Sequence, residues 1–108
     1  MSPIGNDTER TYSLVDVLGK VEARPGLYLR RISVTLLFHF LIGFQAYQIM
    51  QNENYIDKQF HKFDDYLRKA CDAGMMEGTL EALIRVAGGD KEGYDLFFSL
   101  WHKFNTEK

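Results

Sequence analysis

The stretch IDKQFHKFDDYLRKA, residues 56–70, shows most clearly what kind of fold the chain adopts. Its apolar residues follow one another at steps of four, three, four and three, which is the spacing of one face of an α-helix. They are Ile56, Phe60, Phe63, Leu67 and Ala70. Because the residues between them are charged or polar, the pattern predicts a surface helix with one buried side. We expect it to end between Asp72 and Gly74, where glycine suits a helix C-terminus.

Upstream lies a more apolar segment, residues 34–50, which Ser33 can cap at its N-terminus. The segment is apolar nearly all round, a pattern typical of a central, buried helix. We expect Gly43 in its middle to mark close contact with a neighbouring helix, because glycine is otherwise unfavourable there. We expect His39 to be a hydrogen-bonded core residue. Polar residues interrupt the segment before it reaches the roughly 18 apolar residues of a membrane span, so no membrane is expected as a partner.

Further stretches with helical spacing lie on either side. They predict a first helix capped by Ser13, a short helix from Thr79 to Ala87 closed by glycines, and a last helix capped by Asp90. Pro25-Gly26 predicts a turn, followed by an apolar connector at residues 27–29. The sequence therefore predicts an all-α protein, a single compact and irregular bundle of about five helices. The domain spans residues 1–108, with a flexible N-terminal segment at residues 1–12.

Composition supports one globular domain, since the 108 residues are 45% hydrophobic and 26% charged. The single cysteine, Cys71, cannot form an internal disulfide, and we expect it to be a small buried residue at a helix end. The start of the sequence has neither the basic residues nor the apolar stretch of a secretory signal. A cytoplasmic location is the resulting expectation.

Charge is unevenly distributed within the net value of −2. Residues 52–95 contain ten acidic and six basic side chains, which gives this segment −4, whereas the segments before and after it each carry +1. A nucleic-acid-binding protein needs a coherent basic face, and none is visible, so nucleic acid is not an expected partner. The acidic segment instead favours a basic protein partner.

Catalytic and metal-binding patterns are weak in this sequence. His61 has Asp57 four residues before it and Asp64 and Asp65 three and four residues after it, a spacing that resembles half a metal site. Nothing comparable elsewhere supplies the remaining ligands, so a solvated charged face is the preferred interpretation. The nucleophile, phosphate-binding and metalloprotease motifs are absent. We predict a protein that is not an enzyme and that needs no metal or cofactor.

Several strings resemble a group of small helical bacterial proteins encoded beside polymorphic toxins, including those of contact-dependent growth inhibition, which act as immunity proteins. These strings are RPGLYL at residues 24–29, LIGF at 41–44, FHKFDDYL at 60–67 and EALIRVAGGDKEGYDLFFSLWHKF at 81–104. The resemblance spans Lys20 to Phe104. In the family pattern a glycine follows the first string and a tryptophan often precedes the fourth helix, whereas here Arg30 and residues 75–77 occupy those positions.

The resemblance implies that the protein binds and neutralises the C-terminal domain of a cognate toxin in the cytosol. Many such domains are nucleases, which are basic because they hold a phosphate backbone, and an acidic inhibitor gains fast association from opposite charge. We therefore predict an acidic partner-binding face formed by Asp57, Asp64, Asp65, Asp72, Glu77 and Glu81.

Two alternatives remain open. The first is a small helical adaptor or regulatory subunit, which surplus aromatic residues such as Tyr55, Tyr66 or Phe98 could join into a homodimer. The second is a small hydrolase, which as an enzymatic antidote could use His61 and its neighbouring carboxylates. Co-expression with the toxin encoded by the adjacent gene separates these from the immunity protein, because only the latter both protects the cell and co-purifies with the toxin.

Overall fold

The computed structural model describes residues 12–54 and 57–107, and within these ranges the chain forms six α-helices and no β-strand. The helices are α1 (Leu14–Ala23), α2 (Pro25–Leu29), α3 (Val34–Gln51), α4 (Lys58–Ala70), α5 (Thr79–Ala87) and α6 (Asp90–Thr106). The all-α prediction is therefore confirmed. The predicted flexible segment, except for Tyr12, lies outside the described residues, as do Tyr55 and Ile56. None of the helices in the described ranges combines the length and the apolar content needed to cross a bilayer.

The additional helix is α2, which forms where the sequence predicted a turn and a connector. Pro25 occupies its first turn, where a missing backbone N–H loses no helical hydrogen bond. Leu29 at its end is buried, so the short helix also contributes to the core. The chain leaves α2 through Arg30, whose φ of 74° lies in a region that residues other than glycine rarely adopt.

Three predicted helix ends are confirmed. The side chain of Ser13 accepts a hydrogen bond from the backbone N–H of Asp16 at the start of α1. Ser33 does the same for Leu36 at the start of α3 (3.1 Å). Gly88 closes α5 in the left-handed conformation, with a φ of 95°. These caps use contacts within a few residues, which is why the sequence alone predicts them.

Asp90 has a different role from the one predicted, because Gly89 is the residue that precedes α6 and Asp90 is its first residue. The Asp90 Oδ1 atom accepts hydrogen bonds from the backbone N–H and the hydroxyl of Thr35, at 2.9 and 2.7 Å. Burial raises the pKa of Asp90, but hydrogen bonds from Ser33 and Thr35 and the charge of Arg31 outweigh burial and lower it. Asp90 thus caps α3 and ties the start of α6 to the start of α3.

The core is built around α6, which packs against α3, α4 and α5. Phe63 of α4 is its aromatic centre, with ring centroids 4.8 Å from Trp101, 5.2 Å from Phe97 and 5.3 Å from Phe104. Such edge-to-face and tilted pairs add to the stabilisation that burial of the rings provides. Helices α3 and α6 approach closely at Gly93, where an added Cβ atom would lie 2.8 Å from the Val34 Cγ1 atom.

The expectation that α3 is buried all round is wrong. Leu37, Leu41 and Gln48 are buried on one side, but Ile42 and Ile49 on the other side are more than half exposed. Helices α2, α5 and α6 contact α3, and these three cover only one side of it. An apolar pattern in the sequence shows that a helix can be buried, whereas the number of neighbouring helices decides how much of it is buried.

Two further expectations about α3 are also wrong for this reason. His39 is exposed rather than a core residue. Gly43 is exposed as well, and an added Cβ atom there would have no neighbour within 4 Å. The close helix contact that we expected at Gly43 is instead made at Gly93 of α6.

Candidate functional site

The acidic residues predicted to bind a partner lie on α4, on α5 and on residues 71–78 between them, called here the 71–78 loop. Helix α4 ends at Ala70, and Asp72 adopts a left-handed conformation with a φ of 50°. The backbone N–H of Ala73 then donates to the carbonyl oxygen of Arg68 at 2.9 Å, and that of Asp72 to Lys69 at 3.2 Å. This pair of bonds is a common helix ending that normally has glycine at the left-handed position. The expected terminating glycine, Gly74, lies two residues further on.

Cys71 is the residue between the helix and this ending. It is buried, as expected from the sequence. Its pKa is raised, first by burial, while the charge of Arg85 acts in the opposite direction. A buried thiol with a raised pKa has little thiolate at neutral pH, which suits a structural residue.

The second half of the loop is a tight turn held by Arg68. The backbone N–H of Glu77 donates to the carbonyl oxygen of Gly74 at 3.0 Å, as in a β-turn. The Arg68 guanidinium donates from Nη1 to the Glu77 carbonyl oxygen at 2.7 Å and from Nη2 to the Gly74 carbonyl oxygen at 2.9 Å. One arginine side chain therefore holds both ends of the turn.

Arg85 of α5 holds the same turn from the other side. Its Nε and Nη2 atoms donate to the two carboxylate oxygens of Glu77, each at 2.8 Å, and Nη2 also donates to the Cys71 carbonyl oxygen at 3.1 Å. This two-point geometry is the strongest form of a charged hydrogen bond between side chains. The hydrogen bond from Arg85 lowers the pKa of Glu77 to about 2, although partial burial acts in the opposite direction. Glu77 is therefore ionised and paired at neutral pH.

Three more of the predicted acidic residues also bond within the chain. Asp57 caps α4 by accepting from the backbone N–H of Phe60 at 3.0 Å. Asp64 accepts from the hydroxyl of Thr79 at 2.7 Å, and Glu81 accepts from the backbone N–H of Gly78 at 2.8 Å. These bonds give each carboxylate a structural role in addition to any contact with a partner.

Asp65 and Asp72 differ, because their exposed carboxylates make no hydrogen bond or ion pair within residues 12–54 and 57–107. Asp65 has Lys62 three residues before it and Lys69 four residues after it on α4, so this side of the helix carries both signs of charge.

The structure thus places Asp64, Asp72, Glu77 and Glu81 beside or within the 71–78 loop. Asp57 lies at the opposite end of α4, about 20 Å away along a helix of this length. Whether these acids contact a partner stays a prediction.

The tip of the turn is a feature that was not predicted from the sequence. Met75 and Met76 are its two central residues, and they are 95% and 94% exposed. The signal was present as an apolar pair in a short loop flanked by Gly74 and Gly78. Large apolar side chains this exposed on a fixed loop contribute nothing to the core, which is typical of contact surfaces.

The remaining candidates from the sequence occupy ordinary positions. His61 is exposed on α4. The described residues contain no group of three histidine, cysteine, aspartate or glutamate side chains placed to hold a metal ion. Phe98 is buried against Tyr94 and Phe97, so it is unable to join two copies of the chain. Tyr66 packs on Phe63, and its hydroxyl donates to Glu107 at 3.4 Å.

No protein-family model, no curated protein and no solved structure matches the chain.

Proposed function

We propose that the protein is an immunity protein, which neutralises the C-terminal domain of a cognate toxin in the cytosol by binding to it. The resemblance between Lys20 and Phe104 supports this proposal. The observation that carries it is the 71–78 loop, a rigid turn that presents Met75 and Met76 to solvent.

The loop is suited to protein binding because it is ordered before the partner arrives. Arg68 and Arg85 fix its backbone through hydrogen bonds to Gly74, Glu77 and Cys71, so binding loses little conformational entropy there. Full burial of a methionine side chain contributes about 1.5–3 kcal/mol. The unbranched thioether also adapts to an irregular pocket, which helps a surface that must match one toxin among many.

The acidic residues supply charge in this proposal rather than the main contact. Asp65 and Asp72 are exposed and make no hydrogen bond or ion pair within the described part of the chain, although the charge of Asp72 also acts on Arg85, so both carboxylates can face a basic partner. Opposite charge accelerates association and falls off with salt, because exposed charges are screened over about 10 Å at 0.1 M ionic strength. We expect Asp65→Lys and Asp72→Lys to slow association at low salt and to change the dissociation rate little.

The test is co-expression with the toxin domain encoded by the adjacent gene. The native chain should protect the cells and co-purify with the toxin domain. Changing Met75 and Met76 together to serine should weaken binding at least tenfold and abolish protection, because the apolar contact is lost while the hydrogen bonds of the loop remain. Val15→Ser with Leu27→Ser removes two exposed apolar residues elsewhere and serves as the matched control. Full protection by the methionine variant would exclude the loop as the binding site.

A helical adaptor or regulatory subunit is the second candidate. The exposed apolar side of α3 favours it, since this side offers a contact surface separate from the 71–78 loop. A chain that gives no protection against the adjacent toxin, yet binds another protein through α3, would support the adaptor. Protection without co-purification would instead point to an antidote enzyme.

A further inference from the structure

One side of α3 is exposed and largely apolar, and it carries no aspartate, glutamate, lysine or arginine; the exposed His39 continues this side one turn towards the start of the helix. Ile42 is 60% exposed, Ile49 51% and Met50 82%, and the small residues Gly43 and Ala46 lie between them. We call this surface the Ile42 face. Helix α3 has 18 residues, and none of them is aspartate, glutamate, lysine or arginine. Exposed sides of helices in water-soluble proteins normally carry charged residues, so this surface is unusual.

Helical geometry makes the Ile42 face continuous. With 3.6 residues per turn, its five residues fall within roughly one third of the helix circumference, on the side opposite Leu37 and Leu41. Tyr47, which is 54% exposed, lies at its edge. The buried side of α3 contacts the rest of the bundle, and the Ile42 face points away from it.

We propose that the protein forms a homodimer in which the Ile42 face packs against the same face of a second copy, with the two α3 helices crossing near Gly43 and Ala46. This inference goes beyond the proposed function, because it uses a different surface from the 71–78 loop.

Charge favours a second copy as the occupant. In a two-fold interface each residue faces the same patch of the partner, so a charged patch repels itself. The Ile42 face has no charged side chain and carries no such penalty. A basic toxin domain, in contrast, gains no electrostatic attraction from it.

Area and shape agree with this assignment. From their exposed fractions, Ile42, Tyr47, Ile49 and Met50 present roughly 500 Å² per copy, which lies within the size range of functional surface patches. Two copies together would bury at most about 1,000 Å², with Tyr47 included, which is the lower limit for a specific interface, so we expect a weak dimer. Gly43 and Ala46 leave space for the backbones of the two helices to approach.

The dimer is tested by sedimentation of the full chain between about 1 and 100 µM. We expect the mass to rise towards twice that of the chain across this range. Ile42→Glu with Ile49→Glu should leave a monomer with an unchanged helical spectrum, because both side chains are exposed and outside the core. Val15→Glu with Val86→Glu, also exposed apolar positions, should dimerise like the native chain.

A charge-complementation experiment identifies the face itself. The variant with Ile42→Glu and Ile49→Glu, mixed with the one carrying Ile42→Lys and Ile49→Lys, should form a heterodimer at low salt although each variant alone is monomeric. Three results would overturn the proposal: a native chain that stays monomeric, including one that binds another protein through α3; a dimer that survives the two glutamates; or loss of the dimer in the Val15 and Val86 control.

Discussion

Helices α3 and α6 are the two longest in the described chain, with 18 and 17 residues, and both are rich in apolar residues. They differ in the residues that their outer sides expose to solvent. Helix α6 buries Phe97 and Trp101 and carries polar and charged residues outward, where Lys91 pairs with Asp95 and the His102 ring contacts the Glu22 carboxylate. Helix α3 buries one side and leaves the uncharged Ile42 face in solvent. The comparison shows that an apolar helix is not necessarily a central one. An exposed side without charged residues, as on α3, indicates a helix that lacks a neighbour on that side.

The largest expected effect tests whether the two helices differ in their contribution to stability. Phe97→Ala should lower the free energy of unfolding by about 3–5 kcal/mol, because the ring is fully buried between Phe38, Phe63 and Phe98. Ile42→Ala on the exposed side of α3 should change it by less than about 0.5 kcal/mol. Urea unfolding at low protein concentration, where a dimer contributes little, measures both. A large loss for Ile42→Ala would mean that this side of α3 is covered within the monomer.

The two helix glycines give an opposite pair of effects. Gly93→Ala should destabilise the protein by about 1–3 kcal/mol, since the new Cβ atom would lie 2.8 Å from the stiff, buried Val34 side chain. Gly43→Ala should stabilise the monomer by about 1 kcal/mol, because alanine is the better helix former and nothing lies within 4 Å. Thermal unfolding of the two variants beside the native chain measures both stability changes. If both glycines behave alike, α3 and α6 do not differ in how closely they are packed.

Asp90 joins the two helices, and its removal should have an intermediate effect. Asp90→Ala should cost about 1–2 kcal/mol, because the backbone N–H and hydroxyl of Thr35 lose their acceptor. The exposed Asp95→Ala on the same helix, whose contact with Lys91 is 4.0 Å, should cost much less.

The contribution of Asp90 should also depend on pH. Folding lowers its pKa, so the stabilisation is present above the ordinary value of 3.8 and is lost as the pH falls below it. The stability difference between the native chain and Asp90→Ala should therefore shrink as the pH falls below about 4. A difference that stays constant over this range would mean that the charge of Asp90 does not cap α3.

The smallest expected effect concerns a buried polar group on α6 that lacks a hydrogen bond. The hydroxyl of Tyr94 is buried without a hydrogen-bond partner in the described part of the chain. Its pKa is raised, first by burial and then by the charges of Glu22 and Asp95. Tyr94→Phe should be neutral or stabilise the protein by up to about 1 kcal/mol, because an unpaired polar group leaves the interior. Clear destabilisation in a calorimetric scan would show that this hydroxyl has a partner in solution.

Local patterns predicted the helices well, and contacts distant in sequence did not. Helix starts at Ser13 and Ser33 and the helix end at Gly88 depend on hydrogen bonds to residues three or four positions away, so these caps could be predicted from the sequence. Helix α2 was missed because five residues are too few to show helical periodicity. The hydrogen bond from Thr35 to Asp90 joins residues 55 positions apart, and no local signal indicates it.

The candidate site was only partly predictable for the same reason. Composition drew attention to the acidic segment, but the partner of Glu77 is Arg85, eight residues further on, within α5. The packing of the 71–78 loop against α5, rather than charge alone, decides which carboxylates remain available. The exposed methionines were visible in the sequence, but their exposure follows from the arginine contacts that fix the loop.

The position of Met75 and Met76 has a practical consequence for anyone who handles the protein. Two thioethers this accessible are open to oxidants, and each sulfoxide would turn an apolar tip into a polar, chiral one. Neither residue belongs to the core, so an aged preparation would keep its spectrum and melting curve while its proposed affinity for the toxin declined. Treatment with methionine sulfoxide reductase would distinguish such chemical ageing from a protein that never bound at all.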